Sequence, residues 1–539
     1  MTSEPVAGHG EPSRQVELPL LVAMFLAVLA YGSVVRNSFF SDDFLHLYDL
    51  VNSTFAQFVA RTHGGHIYWI RNLVFYACYS LFRTEPAFYY GLAFLTHLLN
   101  VFLFYRVVRA STGSARLACF GAVMWGTLPN NQGAIGWYSV YGHALAATFT
   151  LSTLARMTAI AAGAEAMRFE PLLWAVSTSI GITCFGVGFG LAAAMPFAAW
   201  LILPPSLLRR RAILLLTMVM ALLPLMYVAA VRLDGAVHGE SVQGGLALLQ
   251  TLQAWPTQLR LFLHLFVVAA SSLVLGPFRP LNAFTPLDYV LALPFGLVFA
   301  VLFAAASGAA RRKAVAFVLL AAAAYALIAL GRAFFVDEGN AGAIAAAPRF
   351  HYMGSCALAL SLCALLGDAG RARWPGPRLK TGILIAWLLV VLRGLQTGQG
   401  IDHHESNGIE AANVLARVRA AVDEAAAGRD VFVPNRKFIS IGAFLLADPS
   451  FPGWAGVFAI YFPDGWIEGK RVRFVETDPK ILERARGGII SGELLVRPED
   501  VPLTARLTEP PRKPRRAGAS RRAVPSEGRG KSEGQGLSP

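Results

Sequence analysis

The sequence predicts an all-α polytopic membrane protein of about eleven transmembrane helices, with a small α+β extracytoplasmic C-terminal domain and a disordered tail. Three observations lead there. Of 539 residues 55% are hydrophobic and only 15% are charged, well below the quarter or so usual in soluble domains. The apolar residues gather into charge-free windows of about 18 or more, enough at 1.5 Å per residue to cross a hydrocarbon core of roughly 30 Å. Lysines and arginines punctuate those windows, as topology determinants do.

Residues 1–17 read as a polar, cytoplasmic N-terminus. No small-residue cleavage site follows the first apolar run, so that run reads as a retained helix. Spans are predicted at about Leu18–Val35, Ala87–Tyr105, Leu117–Pro129 and Val140–Ala161, with two short ones inside Leu172–Pro204. Ala212–Val231, Asp288–Ala306, Ala314–Gly331, Met353–Leu366 and Thr381–Val391 complete the set. A further apolar piece, Ile67–Phe82, is interrupted by Arg71. Leu246–Leu275 competes as a span. If it crossed, the clusters Arg209, Arg210, Arg211 and Arg311, Arg312, Lys313 would face opposite sides, against the positive-inside rule. It opens amphipathically and contains Pro256 and Arg260, so it is expected outside the bilayer or along its surface. The transmembrane domain then covers 18–400, with outer segments 36–86, 232–287 and 332–352.

Residues 401–508 change character. Charge becomes ordinary, Val431-Phe432-Val433, Val472–Val475 and Leu494-Leu495-Val496 suggest strands, and Ile409–Ala426 suggests a helix. This is the expected α+β domain, outside the membrane. Residues 509–539 are proline, arginine, glycine and serine, too poor in apolar side chains to bury a core, and are read as a disordered basic tail.

The formal net charge is +14, and eight of the 47 lysines and arginines lie between Arg512 and Lys531. No folded basic face interleaved with aromatics appears, which argues against a nucleic-acid partner. The five cysteines all fall in apolar segments at spacings unlike a metal knuckle, and an odd count does not make a disulfide framework.

The chemistry concentrates at the outer face. Directly after the first span comes Phe39-Phe40-Ser41-Asp42-Asp43-Phe44. Two adjacent carboxylates at a membrane exit are expensive to desolvate; they either anchor an interface, with Ser41-Asp42 capping a helix, or one of them accepts a proton from a substrate hydroxyl. Arg71, in an apolar interfacial stretch, either reaches lipid headgroups or holds an anion. His63 and His66 lack a third ligand; no metal site is assigned, although the pair leaves a divalent ion open. His97 and Asn100 share one helix face inside the membrane, where interhelical hydrogen bonding competes with a substrate role. Trp137, in the polar loop Pro129–Trp137, and His143 beyond it are placed to line an outer cleft. Arg349, followed by Phe350, His351 and Tyr352, is a second candidate for holding a lipid phosphate, because its planar fork matches phosphate oxygens.

These residues, in this order, resemble the GT-C class of polytopic glycosyltransferases, in the branch of protein O-mannosyltransferases and aminoarabinose transferases that use polyprenyl-phosphate sugars. The resemblance covers roughly residues 18–400. It rests on Asp42-Asp43, the run from Arg71 through Phe88-Tyr89-Tyr90 to His97-Leu98-Leu99-Asn100, Trp137 with His143, and Arg349-Phe350-His351-Tyr352. The chain departs from the family in having Asn72 for a proline and Tyr90 for a histidine, and in lacking a Lys-Glu pair around Cys184–Gly190. The resemblance implies an inverting sugar transfer at the outer face of a bacterial inner membrane. The donor would be a polyprenyl-phosphate sugar and the acceptor an envelope protein, lipid or polysaccharide. Asp42 and Asp43 would be catalytic, and Arg71, His66, His97, Trp137, His143, Arg349 and Tyr352 would bind substrate. Two rival functions are a transporter or flippase of a lipid-linked sugar, for which the glycines of Phe185–Gly190 would serve as a hinge, and a surface-glycan polymerase or ligase.

Overall fold

A computed structural model of the chain describes residues 17–63, 66–238, 255–275, 283–332 and 340–369. Beyond these it describes short stretches, chiefly 431–434, 454–462, 466–467 and 470–475. Helix α1 (Leu18–Tyr31) opens with a proline in its first turn, where the missing N–H costs nothing. Then come α2 (Asp42–Asn52), α3 (Phe55–Ala60, closed by a Thr54–Gln57 capping box), a two-stranded hairpin of β1 (Thr62–His63) and β2 (His66–Ile67), and α4 (Trp69–Phe82). Helix α5 (Pro86–Thr112) starts on proline and stops at Gly113 with φ of +73°, the usual left-handed ending. Helices α6 (Ala115–Gly126), α7 (Gln132–Ile135), α8 (Gly142–Ala161), α9 (Glu170–Ile182) and α10 (Val187–Ile202) follow, then α11 (Leu207–His238), α12 (Trp255–Leu275), α13 (Pro286–Ala305) and α14 (Gly308–Gly331). Short α15 (Ala341–Ala345) and α16 (Tyr352–Ala369) complete the helical body.

Helix α5 is central. It packs against α6 and α8 and is crossed by α16, which in turn lies along α14; α14 also lies along α10. Side chains facing away from the bundle stay apolar, for example Leu214, Met218, Leu222 and Leu225 on α11 and Leu293, Leu297 and Val301 on α13. A helix that is apolar on its outward face as well as its inward one belongs in lipid. Seven described helical segments are long and apolar enough to cross a membrane, and Ala115–Gly126, Val187–Ile202 and Tyr352–Asp368 are shorter apolar helices. The chain is an integral membrane protein.

Against the eleven expected spans, Thr381–Val391 lies outside the described residues, and the predicted pair within Leu172–Pro204 corresponds to α9 and α10, separated at Thr183–Gly186. One segment differs from expectation. Trp255–Val274, assigned by charge to the outside or the surface, is a 20-residue helix with the length and hydropathy of a crossing. Pro256 sits in its first turn, where proline is tolerated, and the helix packs against α13, α14, α15 and α16 rather than lying apart. Helix α11 has 32 residues, about 48 Å long, and so outruns the hydrocarbon. At its far end Asp234 accepts a hydrogen bond from the Thr62 hydroxyl beside the hairpin. That end and the 36–86 segment therefore share one side.

In the C-terminal region β3 (Val431–Pro434) runs parallel to β5 (Lys470–Val475), while β4 (Trp466–Ile467) and β6 (Leu507–Thr508) pair with β5 antiparallel. The alternation at Val431–Val433 and Val472–Val475 anticipates two of these strands. Helix α17 (Trp454–Tyr461) packs on α2. The expected strand at Leu494–Val496 and the tail from 509 lie outside the described residues, and Ile409–Ala426 is described only at scattered helical positions.

Candidate functional site

The site begins with a strained turn. Ser41 has φ of +56° and ψ of −127°, a combination that favours glycine and costs a side-chain-bearing residue on the order of 1–3 kcal/mol. Its side chain makes no capping bond to α2, so the helix-cap explanation for the acidic pair does not describe Ser41. Flanking anchors hold the turn: Asn37 Nδ2 donates to the Gly136 carbonyl at 3.1 Å, and Asp43 binds back to the Phe40 amide at 3.3 Å.

The two aspartates part company here. Asp43 is fully buried and saturated. Its Oδ1 accepts from the Ser139 amide at 2.7 Å and the Ser139 hydroxyl at 2.6 Å, and its Oδ2 accepts from the Tyr90 hydroxyl at 3.0 Å as well as from Phe40. Burial pushes its pKa up to about 6 against the pull of those bonds. Asp42 is half-buried, yet its Oδ1 is cut off from solvent and has no hydrogen-bond partner. Burial first, and the neighbouring Asp43 second, raise its pKa to about 7, while Arg349, Arg71 and Arg332 pull the other way.

Arg71 neither reaches toward headgroups nor stands ready for solvent; it is 1% exposed. Its Nη1 donates to the Ser139 carbonyl at 3.0 Å, its Nη2 donates to Asn72 Oδ1 at 2.7 Å and lies 3.2 Å from His46 Nδ1, and the guanidinium sits 4.2 Å above the Tyr68 ring. Arg71 and Asp43 thus grip Ser139 from its two ends, and only Arg71 Nε lacks a partner.

Trp137 stacks on Phe40 with centroids 5.7 Å apart, and the Arg349 guanidinium lies 5.3 Å from the same indole. The buried indole N–H has no partner. Gly133 makes this approach feasible, since a Cβ there would collide with the Arg349 backbone amide. Burial and the nearby Arg332 lower the pKa of Arg349 to about 10, with Asp42 opposing. Arg332, at the end of α14, also lies 5.3 Å from the Phe350 ring and within electrostatic reach of Asp42 and Tyr68. Sequence reasoning left Arg332 unnamed. The available signal was a cation ending a span on the face where cations are scarce.

His66 and His143 flank Phe185, with ring centroids 5.1 Å and 4.1 Å from it, and His143 lies within electrostatic reach of His66, Arg349 and Arg332. Gly186 has the tight packing that the loop requires: a Cβ there would strike the His66 ring. Gly188 and Gly190 are packed as closely, against the Gly181 and Ala323 carbonyls.

His97 and Tyr352 are not brought to the carboxylates. Seven residues beyond Tyr90, about 10 Å along α5, His97 binds the Tyr352 hydroxyl through Nδ1 at 2.9 Å and the Gly126 carbonyl through Nε2 at 2.9 Å. Asn100 donates to the Ala144 carbonyl and to Tyr352, and accepts from Thr148. This network pins α5 to α6, α8 and α16, and the structure places His97 and Tyr352 within it, apart from the carboxylates. Among the described residues no group of three or more His, Cys, Asp or Glu side chains converges as metal ligands; the side chain of His63 lies outside the description.

The residues that do converge are Asp42, Asp43, Arg71, His66, Trp137, His143 and Arg349, joined by Arg332. They combine an unpartnered carboxylate oxygen, an unpartnered indole N–H and arginines at one face of the helical body. Such an array can accept a proton and hold an anion.

No family model and no curated protein matches the chain. Among solved structures it is similar to ArnT from Cupriavidus metallidurans, crystallised bound to undecaprenyl phosphate, at 13% identity and a TM-score of 0.49, over 87% of this chain and 94% of that one.

Proposed function

We propose that this chain is an inverting membrane glycosyltransferase acting at the outer face of a bacterial inner membrane. Its donor is a polyprenyl-phosphate sugar and its acceptor a hydroxyl of an envelope protein, lipid or polysaccharide. The observation that carries the reading is the buried, unpartnered Oδ1 of Asp42 within electrostatic reach of Arg349 and Arg332. Asp42 takes the proton of the acceptor hydroxyl as its oxygen bonds to the anomeric carbon. The bond from that carbon to the phosphate oxygen breaks, and the phosphate leaves with the electron pair. A polyprenyl phosphodiester carries one negative charge and the released monoester approaches two, since its second pKa is about 6. Arg349 and Arg332 together match the charge that develops, which is the condition for stabilising the transition state over the ground state.

Asp43, held by Ser139, Tyr90 and Phe40, is a positioning residue: it fixes the strained turn and, by its own charge, raises the basicity of Asp42. Trp137, stacked on Phe40 with Arg349 over its ring, offers the sugar an unpartnered N–H donor. His66 and His143 close the far wall.

The test is sugar transfer from a polyprenyl-phosphate donor in proteoliposomes holding wild-type protein, Asp42→Asn or Arg349→Ala. Loss of a general base lowers the rate about 10²–10⁴-fold, and loss of a preorganised charge partner about 10²–10³-fold. Wild-type rates in both variants would end the assignment.

A further inference from the structure

Some sixteen residues beyond Tyr90 on α5, about 24 Å along the helix from the aspartates, a second polar feature interrupts the apolar surface. A cavity of about 650 Å³ opens between the start of α1, the last turns of α5 and the end of α8. Leu20, Phe102 and five alanines, Ala110 on α5 and Ala155, Ala159, Ala162 and Ala164 at the end of α8, form its apolar walls. Its polar rim is Glu17, Tyr105, Arg106 and Arg109. Glu17 accepts hydrogen bonds from the buried Tyr105 hydroxyl and from Arg109 Nε at 3.2 Å, so Arg109 is neutralised in place. Arg106 is exposed, lies 5.8 Å from the Phe102 ring and has no ion pair among the described residues. One positive charge is left over at the mouth of an apolar groove.

We infer that this cleft binds the headgroup of a monoanionic phospholipid from the membrane leaflet opposite the candidate active site. The juxtaposition of Arg106 with the Glu17–Arg109 pair selects the charge: one uncompensated cation suits a phosphodiester, and the Glu17 carboxylate repels a dianion. The apolar walls select a lipid over a soluble anion. Alanines in place of larger side chains leave room for the start of an acyl chain beneath Arg106.

The full chain is reconstituted in phosphatidylcholine nanodiscs doped with phosphatidylglycerol, and the lipids retained after transfer to detergent are counted by native mass spectrometry. Wild type is expected to enrich phosphatidylglycerol about five-fold, the effect of one arginine at a membrane surface. Arg106→Ala loses the enrichment, and Ala159→Leu loses it by filling the groove with every charge intact. Arg116→Ala, exposed and outside the cleft, retains it. Circular dichroism and thermal unfolding confirm that each variant is folded. Enrichment unchanged in Arg106→Ala or in Ala159→Leu would overturn the proposal. Equal competition by inorganic phosphate or soluble glycerophosphoglycerol would also overturn it, by showing a free-anion site in place of a lipid one.

Discussion

Two polar regions are sealed inside this molecule on opposite terms. In the His97–Asn100–Tyr352 network both imidazole nitrogens and both ends of the carboxamide have partners, and nothing is left for a ligand to bind. At the outer cluster Asp42 Oδ1, Trp137 Nε1 and Arg71 Nε have none. An unsatisfied buried polar atom costs about 1–3 kcal/mol, so three in one place are a standing destabilisation that a bound substrate can relieve. Satisfied polar groups hold helices together, while unsatisfied ones mark where chemistry is expected.

The widest gap between the regions should appear at Asp42. Asp42→Asn leaves the fold as stable as wild type while transfer falls about 10²–10⁴-fold; a folding defect of matching size would erase the distinction. The same residue gives the comparison a pH axis. With its pKa raised to about 7, Asp42 is protonated and inactive as a base below that value and ionised above it. Transfer in wild type should therefore fall about ten-fold per pH unit on the acid side of 7, and initial rates across pH 5–9 would show it. A flat acid limb would remove Asp42 from the reaction.

His97→Ala is the reciprocal probe. It strands the Gly126 carbonyl, leaves the Tyr352 hydroxyl with Asn100 alone, and should cost about 1–3 kcal/mol, read by thermal unfolding in detergent, with transfer per folded molecule unchanged. A selective loss of rate would return His97 to the site. The smallest effect is expected at the turn. Ser41→Gly relieves the positive φ and should be stabilising by up to about 1 kcal/mol, read as a rise in the thermal unfolding midpoint in detergent; a lower midpoint would show that the turn is not strained.

Much of this was legible in the chain. The apolar windows locate the helices, and Asp42-Asp43 beside a membrane exit locates the cluster. Which aspartate is spoken for was not legible, because Asp43 is claimed by Tyr90 and Ser139, residues 47 and 96 positions away. Arg71 looked like an anion holder for the same reason: its partner Ser139 is 68 residues distant. Arg332 was hidden because its nearness to Asp42 depends on where α14 ends. The segment 255–274 was assigned by charge counting, which weighs flanking cations and cannot see that α13 and α16 supply a packing surface.

Helix α17 rests on α2, the helix that begins at Asp42. Val457, Phe458 and Ile460 bury their side chains in the same core as Phe44 and Leu47. Biosynthesis must therefore finish nearly the whole polypeptide, and deliver residue 461 to the correct compartment, before the aspartate's supporting helix gains its roof. A ribosome stalled or a message cut ahead of codon 454 would yield a protein that inserts its helices normally yet leaves that apolar patch bare, a defect suited to detection by membrane quality-control proteases.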